Sequence, residues 1–146
     1  MNFTHAQILE LTGMTQERLR HWRREIPGLD TRASRNGIVT FEEVALLAVL
    51  NRATDELGIS LAMIAANYDD LLITFQENQS IGEDGVVLWL GMDAAVVSRT
   101  EIPPELEVAA MVKLAPILER LYDKVYQSGA RQLSFSLDLA DRGAKE

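Results

Sequence analysis

The chain has no cysteine, which excludes disulfides, thiolate zinc sites and a cysteine nucleophile, and fits a reducing compartment. Its N-terminus, Met1-Asn-Phe-Thr-His5, lacks the basic region and apolar run of a signal peptide. No apolar stretch approaches the ~20 residues needed to span a bilayer. The expected location is therefore cytoplasmic, with no membrane partner. What is present has a globular balance: 47% hydrophobic and 25% charged residues over 146 positions. That is enough for one ordinary domain or two small ones folding without staples.

The net charge of -8 argues at first against a nucleic-acid partner, because affinity for DNA rests on cations that displace counterions from phosphates. The charge is unevenly placed. Residues 1–40 hold six arginines (positions 18, 20, 23, 24, 32 and 35) against four acids, a net of +2, and the remaining residues hold eight bases against eighteen acids. A positive patch on an acidic body can still bind a duplex if the acidic part points away.

The local signals in that basic part are helical. Thr4-His-Ala-Gln7 is a capping box, so a helix is predicted to start near His5 and stop at Thr12-Gly13, with Ile8 and Leu11 inward. Thr15 can cap a second helix that runs to about Glu25 before Ile26-Pro27-Gly28 ends it. Winding this helix at about 100° per residue puts Thr15, Leu19, Trp22 and Ile26 on one stripe. Gln16, Glu17, Arg20, His21, Arg23 and Arg24 spread over the opposite face, free to enter a groove. Arg18, at the border, suits a phosphate.

Residues 29–41 have the makings of a two-stranded wing, with Arg32 and Arg35 around a turn at Ser34-Arg-Asn36-Gly37 whose Asn-Gly favours positive φ. Thr40-Phe-Glu-Glu43 is a second capping box, opening a helix with apolar positions Val44, Leu47, Leu50 and Leu57 that ends at Gly58. Ser60 caps a further helix carrying Leu61, Ile64, Leu71 and Leu72. The order is helix, turn, helix, wing, helix, helix.

That order, with the residues that fill it, resembles the DNA-binding domain of the MerR family of transcription regulators over residues 3 to 66. Phe3-Thr-x-x-x-Ile-x-x-Leu-Thr-Gly-Met-Thr15 is similar to the family's opening helix and turn. Leu19-Arg20-His21-Trp22 falls where the family commonly has Leu-Arg-Tyr-Tyr. Asn36-Gly37-Ile-Val-Thr-Phe41 stands near its wing motif Gly-Tyr-Arg-x-Tyr, and Glu56-Leu-Gly-Ile-Ser-Leu-x-x-Ile64 is similar to its Glu-Leu-Gly-Phe-Ser-Leu-x-x-Ile. The resemblance implies that Arg20 and His21 help grip DNA. The chain departs from the pattern at Val39, in the place of the wing arginine, at Ile38, in the place of its tyrosine, and at Arg23, in the place of a common glutamate. Arg24, Arg32 and Arg35 are candidates to substitute. Family members usually continue into one long helix that forms an antiparallel coiled coil in the dimer. Here the polar, glycine-broken stretch 76–85 interrupts any heptad run.

After this linker the composition changes. Val86-Val-Leu-Trp-Leu90 reads as a buried strand, Gly91-Met-Asp93 as a turn and Ala94 to Ser98 as a second strand. A helix is predicted from Pro103-Pro104 to about Gln127, with Met111, Leu114, Leu118, Leu121 and Val125 along it and a kink or break at Pro116. Leu133, Phe135, Leu137 and Leu139 alternate with polar residues as a third strand. The expected fold class is thus α+β, mainly α. It comprises a winged helix-turn-helix domain (1–75), a linker (76–85) and a small β-β-α-β domain (86–146) for dimerisation or effector binding.

No catalytic constellation stands out. The carboxylates of the second half, such as Asp138 with Asp141 or Glu105 with Glu107, read as solvated faces, and both histidines lie in the first two helices, so neither a metal nor a cofactor is expected. Trp89 and Phe135 could line a pocket for a small-molecule effector, or be ordinary core. The leading expectation is a sequence-specific DNA-binding regulator acting as a homodimer on double-stranded DNA, open to a small-molecule or protein effector. The alternative is an interaction adaptor with the same fold that does not bind DNA. An enzyme comes last, since no nucleophile, metal cluster or phosphate loop is present.

Overall fold

Four helices of the computed structural model, which describes residues 2–29, 39–99, 102–103 and 105–127, each begin at a hydroxyl side chain. Thr4 caps α1 (His5–Thr12) in a complete capping box, its hydroxyl accepting from the Gln7 N–H and its own N–H donating to Gln7 Oε1. Thr15 caps α2 (Gln16–Glu25), Thr40 caps α3 (Phe41–Leu57) and Ser60 caps α4 (Leu61–Glu77). Gly13 and Gly58 stop α1 and α3 at φ of 74° and 65°, a left-handed conformation that a side chain would strain. The short strand β1 (Asn2–Phe3) pairs antiparallel with β2 (Val39–Thr40), so the chain entering α1 is tied to the chain entering α3.

One expected detail differs. The Thr40 hydroxyl does accept from the Glu43 N–H, but the Glu43 carboxylate is buried and accepts from the Tyr68 hydroxyl at 2.8 Å, which joins α3 to α4. Leu57, one of the apolar positions named for this helix, is 55% exposed at the last turn of α3.

The described residues of the second half form a three-stranded antiparallel sheet and a helix. Strand β3 (Val87–Leu90) lies in the middle, between β4 (Ala95–Ser98) and β5 (Ala110–Lys113). Leu88 and Leu90 are fully buried while Val87 and Trp89 are only half-buried, so the apolar run is covered on one face rather than both. The helix expected from Pro103-Pro104 is shorter. Residues 105–109 are not helical, 110–113 form β5, and α5 comprises residues 114–127. Pro116 is then the third residue of α5, within the first turn, where a missing N–H removes no intrahelical bond and no kink is required. Met111 belongs to a strand, not to the helix stripe. The strand expected at 133–139 lies outside the described residues.

Helix α3 is the centre of the molecule. Every residue from Glu43 to Asn51 is buried. It packs against α1 and α4, and Ala45 and Ala48 line clefts shared with Leu118 and Leu121 of α5. Phe41, at its first turn, stacks on Tyr122 of α5 with ring centroids 5.0 Å apart. The sheet is held to α4 through Asn67, whose amide donates to the Gly91 carbonyl at 3.2 Å. A single hydrophobic cluster runs from Phe3 through Val39, Leu50 and Tyr68 to Leu88 and Leu121.

Candidate nucleic-acid interface

Helix α2 is amphipathic in the sense its spacing predicts. Leu19 and Trp22 are buried, with Ile26 just beyond the helix, while Gln16, Glu17, Arg20, His21 and Arg24 are all exposed. Two buried large side chains therefore fix which face of α2 turns outward, and that face carries two arginines, an imidazole and an amide. Thr15, placed on the inward stripe by its spacing, is instead exposed at the cap, where its hydroxyl accepts from the Arg18 N–H at 3.1 Å. Capping satisfies one of the unpaired N–H groups of the first turn.

Two arginines flank this face and are half-buried. Arg23 Nη1 lies 3.5 Å from His5 Nδ1, which places it against the first turn of α1. Arg18 turns the other way: its Nη1 donates to Asn51 Oδ1 at 2.7 Å and to Asp55 Oδ1 at 2.6 Å, both on α3. Asn51 is itself buried, and its amide donates to the Thr12 carbonyl at 3.2 Å. The Thr12 hydroxyl donates to the Ile8 carbonyl and accepts from the Met14 N–H. Asn51 thus fastens the turn between α1 and α2 with one end and the Arg18 guanidinium with the other.

Neither Asn51 nor Asp55 was picked out as a site residue from the sequence. The available signal was Asn51 itself, a lone polar side chain after an apolar run of seven residues (Val44 to Leu50), since a buried amide without partners is costly. Arg32, Arg35 and Asn36 of the expected wing lie outside the described residues. Val39, in the place of the family's wing arginine, is fully buried in β2 opposite Phe3.

Among the described residues no group of three or more His, Asp or Glu is gathered as for a metal ion, and no helix is long and apolar enough to cross a membrane. Residues 3–70 match the family model described as MerR HTH family regulatory protein. The match supports a MerR-type DNA-binding domain in the N-terminal part of the chain. A MerR helix-turn-helix is a regulatory DNA-binding domain rather than a catalytic one, and the match supports DNA binding and transcription regulation as the role of residues 3–70. The match ends on α4, before the sheet and α5. Comparisons with curated proteins and with solved structures each gave no match.

Proposed function

We propose that the MerR-type domain is a sequence-specific regulator whose α2 enters the major groove, with residues 29–41 as a wing on the flanking backbone and two copies acting on a two-fold site. The observation that carries this reading is the outward face of α2, where Gln16, Arg20, His21 and Arg24 are exposed above buried Leu19 and Trp22. Exposed side chains on the first turns of a second helix are the ones a helix-turn-helix presents to base edges. Thr15 and Glu17 border that face, and Arg23 reaches a phosphate on the α1 side. Arg18 reaches one through Nε and Nη2, since its Nη1 is engaged with α3. Arg32, Arg35 and Asn36 supply the wing contacts in place of the arginine that Val39 replaces.

The test uses a duplex selected from a random pool, titrated with wild type and with Arg20→Ala/Arg24→Ala at several salt concentrations. The double variant should lose about 1–3 kcal/mol for each bidentate base contact and about 0.9 of salt slope for each phosphate contact. Unchanged affinity and slope would remove α2 from the interface. An adaptor that does not touch DNA is the second reading, favoured by the buried Val39 and by the acidic composition after residue 40; a wild type without salt-dependent binding would select it.

In this proposal residues 1–75 bind DNA, 76–85 connect, and 86–146 dimerise or take an effector. The half-buried Val87, Trp89 and Val96 and the 47% exposed Met111 on the outer side of the sheet support pairing through the second part. Because the buried cluster crosses the connection, that part is docked on the first rather than tethered to it. Sedimentation of the full chain at micromolar concentration should give a dimer, and a monomer there would leave this layer to an effector.

A further inference from the structure

We propose that α5 adds a second contact to the duplex: Arg120 and Lys124 each hold a backbone phosphate beside the segment that α2 reads. The proposal rests on the DNA reading above and adds to it a partner-binding surface outside the residues matched to the family.

Four observations carry it. First, the described ion pairs are Arg18–Asp55, Arg52–Glu56 and Arg99–Glu83, and neither Arg120 nor Lys124 takes part in any ion pair among the described residues. Second, the two are one turn apart and exposed. Winding α5 at about 100° per residue gathers Ile117, Arg120 and Lys124 within about 60°, on one border of its buried face, with Glu119 and Asp123 beyond them on the other side. Third, both cations line a cleft of about 240 Å³ whose opposite wall includes Thr12 and Gly13, the turn that leads into α2. Fourth, Asp55 in the same cleft is engaged by Arg18, so its charge is already offset.

The electrostatic consequence follows from placement. Most of the chain after residue 40 is acidic and repels a polyanion, but at this cleft free cations border the helix-turn-helix turn itself. A duplex that receives the outward face of α2 brings one of its backbones past that turn. Arg120 and Lys124 then extend the positive surface of α2 from the first half of the chain onto the second.

Phosphate contacts position a protein without reading sequence. The test therefore measures both the selected duplex and a random-sequence duplex, over a range of salt, with the full chain. Arg120→Gln/Lys124→Gln should weaken binding to both duplexes by a similar factor, roughly 10-fold at about 0.1 M salt, and lower the salt slope by about 1 to 2. Arg99→Gln, which removes one charge at the Glu83 pair, outside the residues that line this cleft, should leave the slope unchanged. The proposal is overturned if the double variant keeps the wild-type affinity and slope, or if Arg99→Gln reproduces its loss. Wild type binding normally in that experiment would leave the α2 reading standing, whereas a wild type that fails to bind either duplex removes both. Thermal melting checks the fold of the double variant, and Lys124→Gln alone, which should show about half the slope change, replaces it if it melts early.

Discussion

The helices of residues 5–77 and the layer of residues 86–127 take their boundaries from different sources. In the first region Thr4, Thr15, Thr40 and Ser60 open the helices, and Gly13 and Gly58 close two of them, so start and stop are written within three or four residues of the event. In the second, β5 exists because Ala110 to Lys113 finds Val87 to Leu90 at separations of 20 to 26 residues, and α5 starts where that pairing ends. Capping is a local contest between a side chain and solvent for a free N–H. Strand pairing is decided by what the rest of the molecule offers, so the same residues can look helical in isolation.

The largest expected effect tests whether local signals are enough even in the first region. Trp22→Ala should cost about 3–5 kcal/mol in denaturant unfolding, because the indole is buried under α2 and no cap replaces that burial. A loss below 1 kcal/mol would mean that α2 is held by its ends rather than by its underside.

A smaller loss is expected where the first region itself depends on a long-range contact. Asn51→Ala removes the donor to the Thr12 carbonyl and the acceptor of Arg18 together, and should cost about 1–3 kcal/mol. Hydrogen exchange at Met14 and at the start of α2 should quicken in the same variant. Unchanged exchange there would show that the turn keeps its shape without α3.

The smallest effect probes the junction of the two regions. A double-mutant cycle on Phe41→Leu and Tyr122→Leu should give a coupling of about 0.5–1.5 kcal/mol for the stacked pair. Zero coupling would mean that α5 is docked by its aliphatic side alone.

What was legible in the sequence divides along the same line. α1 and α2 fall about where their caps place them, and α2 presents the expected outward residues. Thr15 is the exception on its stripe, since an N-cap leaves the helix before its angle can be extrapolated. In the second region β3 and β4 were visible as apolar runs around a turn, but β5 was absorbed into a helix. Met111, Leu114, Leu118, Leu121 and Val125 recur at three and four residues, and only the half-buried or exposed positions beside buried Val112 betray the period of two. Four residues are too few for that alternation to outweigh a helical stripe that continues for three more turns. Asn51 and Asp55 were illegible for another reason: their partners, Thr12 and Arg18, lie more than thirty residues away.

The burial of α3 on every side from Glu43 to Asn51 also bears on how the chain is made. N-terminal segments leave the ribosome first and begin to fold as they emerge. The caps and turns of α1 to α4 can form at that stage, but Ala45 and Ala48 acquire their cover only when Leu118 and Leu121 arrive. Through synthesis of the sheet, the growing polypeptide carries a helix-turn-helix whose central helix has one bare side. The reading head is complete in outline before it is complete in stability, and its maturation waits on α5, the last of the described helices.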